Sequence, residues 1–526
     1  MTYTIEKVTT LIGAHRFGTA DANIGFLLTD SRSLCFAEET LFFALKSGRN
    51  DGHNYISDLY RRGVRNFVVQ DVPAGYSTVY PDANFLKVAD SLVALQRLAE
   101  RHRDEYDIPI VGITGSNGKT IVKEWLYQLL SPEMKVTRSP RSYNSQIGVP
   151  LSVWLLNEQS QVGVFEAGIS EPGEMLALRD IIQPSIAVLT FIGDAHQKNF
   201  TSLEEKCREK VILFHDAKTI VYCKDDTIVD EIVNESQYKG ENLAWSMNDD
   251  SVPFFVESVE KKELNSVIHY TWRGEEGEYT LPFIDEASVR NSVTTAVVAL
   301  HLGLSKTLLA ERMQNLEPVA MRLEVKEGQH GCTLINDSYN SDINSLDIAL
   351  DFMNRRPDHK GLGRTLILSD IYQTGEPLDE LYAEVSSLAV QRGVTKIIGI
   401  GPQIMDHADL IKVKEKFFFH DVTSFIHSAV FESLHDEVIL IKGARRFGFD
   451  SITELLVKKV HETILEVNLS GVVKNLNFYR SFMRPETKLV CMIKADAYGA
   501  GAVEIAKTLQ DHRVDYLAVA VADEGV

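Results

Sequence analysis

A glycine-rich segment between an apolar strand and a helix limits what this chain can fold into more than any other feature. The order IPIVGIT, GSNG and KTIVKEWLYQLL predicts strand, loop and helix from Ile108 onward. Glycines let backbone N–H groups approach an anion, and the start of a helix adds a partial positive charge. The sequence therefore predicts a nucleoside triphosphate site, formed by Gly115, Asn117, Gly118, Lys119 and Thr120.

The loop departs at one position from the common GxxxxGK[ST] pattern, because residue 113 is isoleucine and the nearest glycine before it is Gly112. A glycine-rich turn that binds nothing is the alternative interpretation. In the favoured interpretation, Lys119 reaches the β- and γ-phosphates and the Thr120 hydroxyl binds Mg²⁺.

Length and charge narrow the class of protein. The chain has 526 residues, enough for three to five domains of ordinary size. Its 54 Lys and Arg against 74 Asp and Glu give a formal net charge of −20, which argues against binding to nucleic acid or an anionic membrane. Five cysteines without a CxxC pair indicate neither a disulfide framework nor a zinc site. With no signal peptide and no long apolar run, the sequence predicts a cytoplasmic multi-domain enzyme without membrane insertion.

Apolar strands that alternate with helices predict an α/β fold with parallel sheets covered on both faces. These strands are expected at 162–168, 185–193, 332–338, 364–370, 395–401 and 437–443. Residues 251–283 alternate and carry charge, which predicts antiparallel strands instead. After Val460 the pattern restarts as strand, helix, strand, loop and helix, and a further strand is expected at the end of the chain.

The GxxGxxGKT spacing of the loop is the form found in the Mur ligases, and NSQIGVPLSVW, VFEAGISEPGEM and EEKCREKVILF resemble segments of the same family. The resemblance implies that Asn144 lines a nucleotide-sugar substrate. It implies that two Mg²⁺ ions are held by Thr120, Glu166, His196 and Lys210. Lys210 would act as a carbamate, and the catalytic residues would be Lys119, His196 and Lys210.

Further segments extend this resemblance. Asn291 matches an adenine-binding asparagine, although this chain has Ala287 where many relatives have histidine. Arg322 in MRLEV and Asp337 in INDSYNSDINSL resemble residues that reach ATP from a third domain. The segments KGARRFGFD and TDSR imply contacts with the substrate from Lys442 and Arg445, and with its uridine diphosphate from Ser31 and Arg32.

The resemblance implies a three-domain Mur ligase. We expect a UDP-sugar-binding domain over residues 1–104, a central ATP-binding domain with a parallel sheet over 105–316, and a Rossmann-like domain over 317–460. Residues 461–526 are expected to begin a separate barrel domain.

The last segment, with LEVNLSGVVKNLNFYR and KLVCMIKADAYGAG, resembles the start of alanine racemase. That resemblance implies that Lys494 holds pyridoxal 5′-phosphate covalently and takes part in racemase catalysis, with Tyr498 on the same loop. A parallel eight-stranded barrel needs about 250 residues, so we expect a bifunctional protein cut short. The ligase part is expected to be monomeric and a complete racemase part dimeric.

The activity implied by the resemblance is ligation of D-alanyl-D-alanine to UDP-N-acetylmuramoyl-tripeptide, with ATP and an acyl-phosphate intermediate. DSYNSDINSL and KGARRF favour this acceptor, and the DNPR string typical of the diaminopimelate-adding members is missing from the sequence. Three alternatives stay open: a Mur ligase that adds diaminopimelate or lysine, a P-loop ATPase or switch that does not ligate, and a non-catalytic protein that binds pyridoxal phosphate.

Overall fold

The computed structural model divides the chain into two compact units, residues 1–98 with 460–526 and residues 99–459. It describes residues 2–34, 36–48, 50–140, 142–193, 199–262, 265–317, 319, 324–338, 343–355, 362–371, 377–458, 467–480, 482–484 and 486–525. No helix in these ranges is long and apolar enough to cross a membrane.

The N-terminal part of the first unit is built on a five-stranded sheet with the order β2-β7-β6-β5-β4. Its strands are β2 (His15–Phe17), β4 (Phe26–Leu28), β5 (Thr40–Phe43), β6 (Asn66–Val69) and β7 (Asn84–Lys87), while β1 (Tyr3–Thr4) and β3 (Asn23–Ile24) form a separate antiparallel pair. The helices are α1 (Ile5–Ile12), α2 (Ile56–Arg61), α3 (Tyr76–Val79) and α4 (Ser91–Arg103). Only β2 runs antiparallel to its neighbour, so this sheet is largely parallel.

A six-stranded parallel sheet forms the centre of the second unit, with the order β13-β12-β11-β8-β10-β9. Its strands are β8 (Ile110–Thr114), β9 (Val136–Arg138), β10 (Val162–Glu166), β11 (Ile186–Leu189), β12 (Thr219–Val221) and β13 (Glu241–Asn242). The accompanying helices are α5 (Lys119–Leu130), α6 (Gly148–Val153), α7 (Glu174–Ile182), α8 (Leu203–Val211), α9 (Thr227–Glu235), α10 (Glu286–His301) and α11 (Lys306–Met313). Ile110 and Val111 enter different apolar clusters on the two faces of the sheet, which confirms the predicted burial of both faces.

A smaller sheet with the order β14-β15-β16-β17 packs beside this core. It contains β14 (Trp245–Ser246), β15 (Phe254–Lys261), β16 (Ser266–Trp272) and β17 (Glu275–Leu281). The last three strands are antiparallel, as the alternation over residues 251–283 predicts.

The third sheet lies in residues 324–442 and has the order β18-β19-β23-β20-β21-β22. Its strands are β18 (Glu324–Glu327), β19 (Thr333–Asp337), β20 (Gly363–Ser369), β21 (Lys396–Ile400), β22 (Glu415–Phe419) and β23 (Glu437–Lys442). Helices α12 (Ile343–Arg355), α13 (Leu378–Gln391), α14 (Pro402–Asp406), α15 (Val422–Ile426), α16 (Ala429–Glu432) and α17 (Asp450–Leu456) accompany it. All pairings except β18 with β19 are parallel.

The C-terminal part of the first unit contains α18 (Leu469–Arg480), β24 (Val490–Met492), α19 (Lys494–Gly499), α20 (Ala502–Asp511) and β25 (Tyr516–Ala518). The two strands pair in parallel. The predicted loop is a single helical turn, with the four residues from Ala495 to Tyr498 at φ between 50 and 61°. Residues 459–466, which include most of the first strand predicted there, lie outside the described residues.

The position of β23 inside the third sheet leads to a stability prediction. Leu440 is fully buried on this strand between two parallel neighbours. We expect Leu440→Ala to lower the opening free energy of β20 and β23 by about 2–5 kcal/mol, because it leaves a cavity. Hydrogen–deuterium exchange followed by mass spectrometry measures this. Val390→Ala, at a half-exposed position on α13, is the control. It should change the opening free energy by less than about 0.5 kcal/mol. Equal exchange in both variants would contradict the central position of β23.

Candidate active site

The predicted phosphate-binding loop connects β8 to α5, and two of its glycines are required by space as well as by conformation. Gly115 has φ of +143° and Gly118 has φ of +88°. A Cβ atom at Gly115 would overlap the Thr190 hydroxyl, and one at Gly118 would overlap the Asn291 side chain. Gly112 lies inside β8, where a Cβ atom would come within 2.9 Å of Pro184. The unusual glycine spacing therefore reflects strand packing at Gly112 and loop geometry at Gly115.

The loop is anchored to the end of β11. The Ser116 N–H donates to the Phe191 carbonyl at 2.6 Å, and the Ser116 hydroxyl donates to the Gly193 carbonyl at 2.9 Å. The Lys119 ammonium donates to the carbonyls of Gly115 at 2.6 Å and Ser116 at 3.0 Å. The loop is thus rigid, and its lysine already lies over the turn where phosphates would enter.

Asn117 supplies direct support for a ligand at this loop. Both polar atoms of its side-chain amide are buried, and neither has a hydrogen-bond partner within the described parts of the chain. An unsatisfied buried amide costs free energy, so such groups are commonly completed by a ligand or by water. Asn291, the predicted adenine contact, is buried on α10 directly against Gly118. The structure therefore brings the predicted adenine contact to the phosphate-binding loop.

Glu166 ends β10 and is fully buried. Its Oε2 atom accepts from the Thr120 hydroxyl at 3.1 Å and from the Asn144 amide at 3.4 Å. The Thr120 hydroxyl also lies 3.2 Å from the Ser142 hydroxyl. Two predicted metal ligands and one predicted substrate contact thus meet at the carboxyl end of the sheet, where parallel α/β sheets place their ligands.

The sequence analysis missed Lys123, which is fully buried with its Nζ atom 3.0 Å from Glu166 Oε1. Lysine is seldom fully buried unless it is paired. The available signal was its spacing, because residue 123 is four positions after Lys119 on the same helix and so shares its face.

Lys210, on α8, also reaches the phosphate-binding loop. Its ammonium donates to the Gly115 carbonyl at 3.3 Å. Burial, followed by the nearby charges of Lys119 and Lys206, lowers the pKa of Lys210 well below its usual range. Lys206, a second residue that the sequence analysis missed, is also buried and donates to the Gly193 carbonyl. Lys119 and Lys210 therefore donate to the loop itself, and Lys206 donates to the Gly193 carbonyl, which also accepts from Ser116 of the loop.

The third sheet brings together two residues that were predicted to have separate roles. Asp337 and Lys442 are register partners at the ends of β19 and β23, and their side chains form a buried ion pair at 2.6 Å. His196, Arg322 and the Arg445 side chain lie outside the described residues. Within the described ranges, no group of three or more His, Cys, Asp and Glu could hold a metal ion. Glu166 and Thr120 would therefore need phosphate oxygens or a further ligand to complete a Mg²⁺ site.

The remaining predicted residues lie in the first unit. Ser31 and Arg32 form a turn after β4, where the exposed Arg32 pairs with Asp30 at 2.6 Å. This hydrogen-bonded pairing lowers the pKa of Asp30. Lys494 begins α19 just after β24, so it lies at the carboxyl end of a parallel strand, as predicted. Its Nζ atom is 5.9 Å from the centre of the Tyr498 ring.

Comparisons with known proteins agree with this geometry. Residues 113–299 match the Mur ligase middle domain, and residues 467–526 match the alanine racemase N-terminal domain. The UDP-N-acetylmuramoyl-tripeptide–D-alanyl-D-alanine ligase of Bacillus subtilis is 25% identical over 442 residues, which cover 82% of this chain and 92% of the relative. The ligase of the same name from Borreliella burgdorferi is 27% identical over 443 residues, covering 80% of this chain and 92% of that protein.

Solved structures show the same fold. MurF from Acinetobacter baumannii aligns with a TM-score of 0.75 and 21% identity, over 86% of this chain and 99% of that protein. MurF ligase from Thermotoga maritima, solved in complex with ADP, aligns with a TM-score of 0.69 and 22% identity, over 82% and 96% of the two chains.

A phosphate-binding loop on a parallel sheet, with a buried glutamate at the strand end beside it, defines a nucleotide-dependent α/β enzyme. With the sequence comparisons, that enzyme is an ATP-dependent ligase. Residues 113–299 form a Mur ligase middle domain, and residues 467–526 match the N-terminal domain of alanine racemase.

The close approach of Gly118 to Asn291 leads to a binding prediction. We expect Gly118→Ala to weaken ADP binding by about tenfold or more, since the methyl group adds both backbone strain and a clash. Isothermal titration calorimetry measures the affinity. Gly274→Ala is the matched control, because Gly274 has φ of +84° in a hairpin with open space around it. ADP affinity unchanged by Gly118→Ala would argue against nucleotide binding at this loop.

Proposed function

We propose that this chain uses ATP to join D-alanyl-D-alanine to UDP-N-acetylmuramoyl-tripeptide. The observation that carries the proposal is the meeting of Thr120, Asn144 and Glu166 beside the phosphate-binding loop. Thr120 and Asn144 both donate to Glu166 Oε2, which supports a substrate carboxylate and a nucleotide binding side by side there. The names of the related ligases support the choice of acceptor and donor.

The chemistry requires activation, because a carboxylate is a poor electrophile. The terminal carboxylate of the tripeptide attacks the γ-phosphorus of ATP, which forms an acyl phosphate and releases ADP. The free amine of D-alanyl-D-alanine then attacks the acyl carbon. The tetrahedral intermediate loses phosphate and a proton to give the new amide. Catalysis of this kind depends mainly on positioning and on neutralising charge.

Lys119 would leave its loop carbonyls to contact the β- and γ-phosphates, and Asn291 would contact adenine. Thr120, Glu166, His196 and Lys210 are the residues proposed to hold two Mg²⁺ ions. The buried Glu166 carboxylate beside the Thr120 hydroxyl fits such an ion. Bound Mg²⁺ would neutralise charge on the phosphate oxygens.

The other roles follow the family resemblance. Arg322 and Asp337 would reach ATP from the third domain, and Lys442 and Arg445 would contact the substrate. The ion pair between Asp337 and Lys442 fixes both side chains at one strand end, so these two roles would act at one place. Ser31 and Arg32 would contact the uridine diphosphate.

We also propose the four-domain division at residues 104, 316 and 460, with a monomeric ligase part. Lys494 would hold pyridoxal 5′-phosphate in a complete racemase domain, which we propose to be dimeric. The strand-end position of Lys494 fits that role. The cofactor would supply an electron sink for removal of the α-proton of alanine.

Phosphate release tests the proposed ligation. With ATP, Mg²⁺ and UDP-N-acetylmuramoyl-tripeptide, we expect release to depend on D-alanyl-D-alanine, because the acyl phosphate needs an amine to turn over. Mass spectrometry should detect the UDP-N-acetylmuramoyl-pentapeptide. Lys119→Met is the control that should lose release in every mixture.

Two outcomes would contradict the proposed donor and acceptor. Release indifferent to the dipeptide would indicate an ATPase that does not ligate. Release that requires diaminopimelate or lysine with the dipeptide precursor would indicate another amino-acid-adding member of the family.

The buried position of Lys210 leads to a second prediction. Only a neutral amine reacts with CO₂, and the lowered pKa keeps this amine neutral closer to physiological pH. We expect removal of dissolved CO₂ to reduce ligase activity by about 10–100-fold, the loss typical when metal-site support is removed, and bicarbonate to restore it. With ¹³C-labelled bicarbonate, the native protein should show a carbamate carbon signal by NMR, and Lys210→Ala should lack it. Full activity without CO₂ would exclude a functional carbamate.

A further inference from the structure

Lys123 is a buried cation of the central domain to which the proposed chemistry assigns no role. It lies one helical turn after Lys119 on α5, and its side chain has no exposed surface. Its Nζ atom contacts Glu166 Oε1 at 3.0 Å, Glu124 Oε1 at 2.9 Å and the Ser139 carbonyl at 2.9 Å. The contact with Ser139 is a hydrogen bond, and the contacts with Glu166 and Glu124 are ion pairs, so the ammonium lies between two carboxylates and a carbonyl.

The two carboxylate oxygens of Glu166 therefore have different contacts. Oε1 faces Lys123, while Oε2 faces the Thr120 hydroxyl and the Asn144 amide on the side of the phosphate-binding loop. A carboxylate without the Lys123 contact could rotate and exchange its oxygens. Lys123 therefore determines which oxygen is presented to a cation beside Thr120.

Lys123 also connects Glu166 to the segment that carries Asn144. The Ser139 carbonyl accepts from Lys123, and the Ser139 hydroxyl accepts from the Glu166 N–H at 3.2 Å. Asn144 follows five residues later and returns to Glu166 Oε2 at 3.4 Å. The residues after β9 are thus tied to Glu166 at both ends.

Glu124, the other carboxylate that contacts Lys123, is itself held in place. Glu124 pairs with Arg138 at 3.1 Å, and the Arg138 guanidinium lies 3.6 Å from the centre of the Tyr127 ring. Alternating charges thus extend from Glu166 through Lys123 and Glu124 to Arg138. Glu124, held by Arg138, therefore gives the buried ammonium a second ion pair besides Glu166.

We propose that Lys123 is a positioning residue. It keeps Glu166 Oε2 oriented toward the metal ion, and through Ser139 it holds the segment that carries Asn144. The inference rests on the proposed role of Glu166 as a Mg²⁺ ligand. Groups that orient metal ligands typically contribute about 10–100-fold to metal affinity. Lys123 would act entirely through Glu166 and would not touch the reacting atoms.

The test measures metal binding without turnover. Mn²⁺ affinity is measured by electron paramagnetic resonance in the presence of ADP, and ADP affinity without metal is measured by calorimetry. We expect Lys123→Met to weaken Mn²⁺ binding by about 10–100-fold and to leave metal-free ADP binding within about twofold. A general loss of folding would weaken both affinities. Lys123→Gln, which keeps a hydrogen-bond donor at this position, is expected to show an intermediate loss and serves as the second variant if the methionine variant does not fold.

Lys396→Met is the matched control. Lys396 forms a largely buried ion pair with Glu437 in the third sheet, although less deeply buried than the pair of Lys123 with Glu166, and its loss should leave Mn²⁺ affinity unchanged. Glu166→Gln separates the two proposals, because wild-type Mn²⁺ affinity in that variant would overturn the metal role of Glu166 itself. If Glu166→Gln loses the ion but a folded Lys123 variant binds it as the wild type does, the positioning role alone is wrong.

The double variant Lys123→Met/Glu166→Gln completes a double-mutant cycle of the two residues. If Lys123 acts through Glu166, the double variant should bind Mn²⁺ no more weakly than Glu166→Gln alone. Additive losses would show that Lys123 acts independently of Glu166 and would overturn the proposal.

Discussion

The site depends on one buried negative charge. A carboxylate removed from water is tolerated only when cations and hydrogen-bond donors replace its hydration. Glu166 has such a set: the Lys123 ammonium, the Thr120 hydroxyl and the Asn144 amide. Thr120 and Lys123 lie on α5 and Asn144 lies in the segment after β9, so satisfying this charge fixes the start of α5 and that segment against the end of β10.

Positive charge is concentrated just as closely around the phosphate-binding loop. Lys119, Lys206 and Lys210 all donate to backbone carbonyls of Gly115, Ser116 or Gly193. Burial, and then repulsion from the nearby charges of Lys119 and Lys206, lowers the pKa of Lys210. An entering polyphosphate would relieve this repulsion. The chain therefore has a local cluster of lysines at this loop although its formal net charge is −20.

Patterns along the chain predicted many of the strands, because burial on both sheet faces leaves continuous apolar runs. β8, β10 and β11 of the central sheet and β19, β20, β21 and β23 of the third sheet occur where these runs predict them, and the alternating segment near residue 260 forms antiparallel strands. The short strands β9, β12, β13 and β18 were not predicted. β22 was not predicted, since EKFFF begins with two charged residues at an edge of the sheet. Lys123 and Lys206 were missed because a lysine within a helical pattern normally indicates a solvated face.

The sequence by itself determined the loop, the helix that follows it and the types of residue at each strand end, because these are local properties of spacing and polarity. Strand order, the division of the Glu166 oxygens and the pairing of Asp337 with Lys442 were decided only by the tertiary structure. Asp337 and Lys442 are 105 positions apart, yet β19 and β23 are neighbours in the sheet. Such contacts depend on which strands pair and on how buried charges are satisfied, and neither is encoded in the spacing of nearby residues.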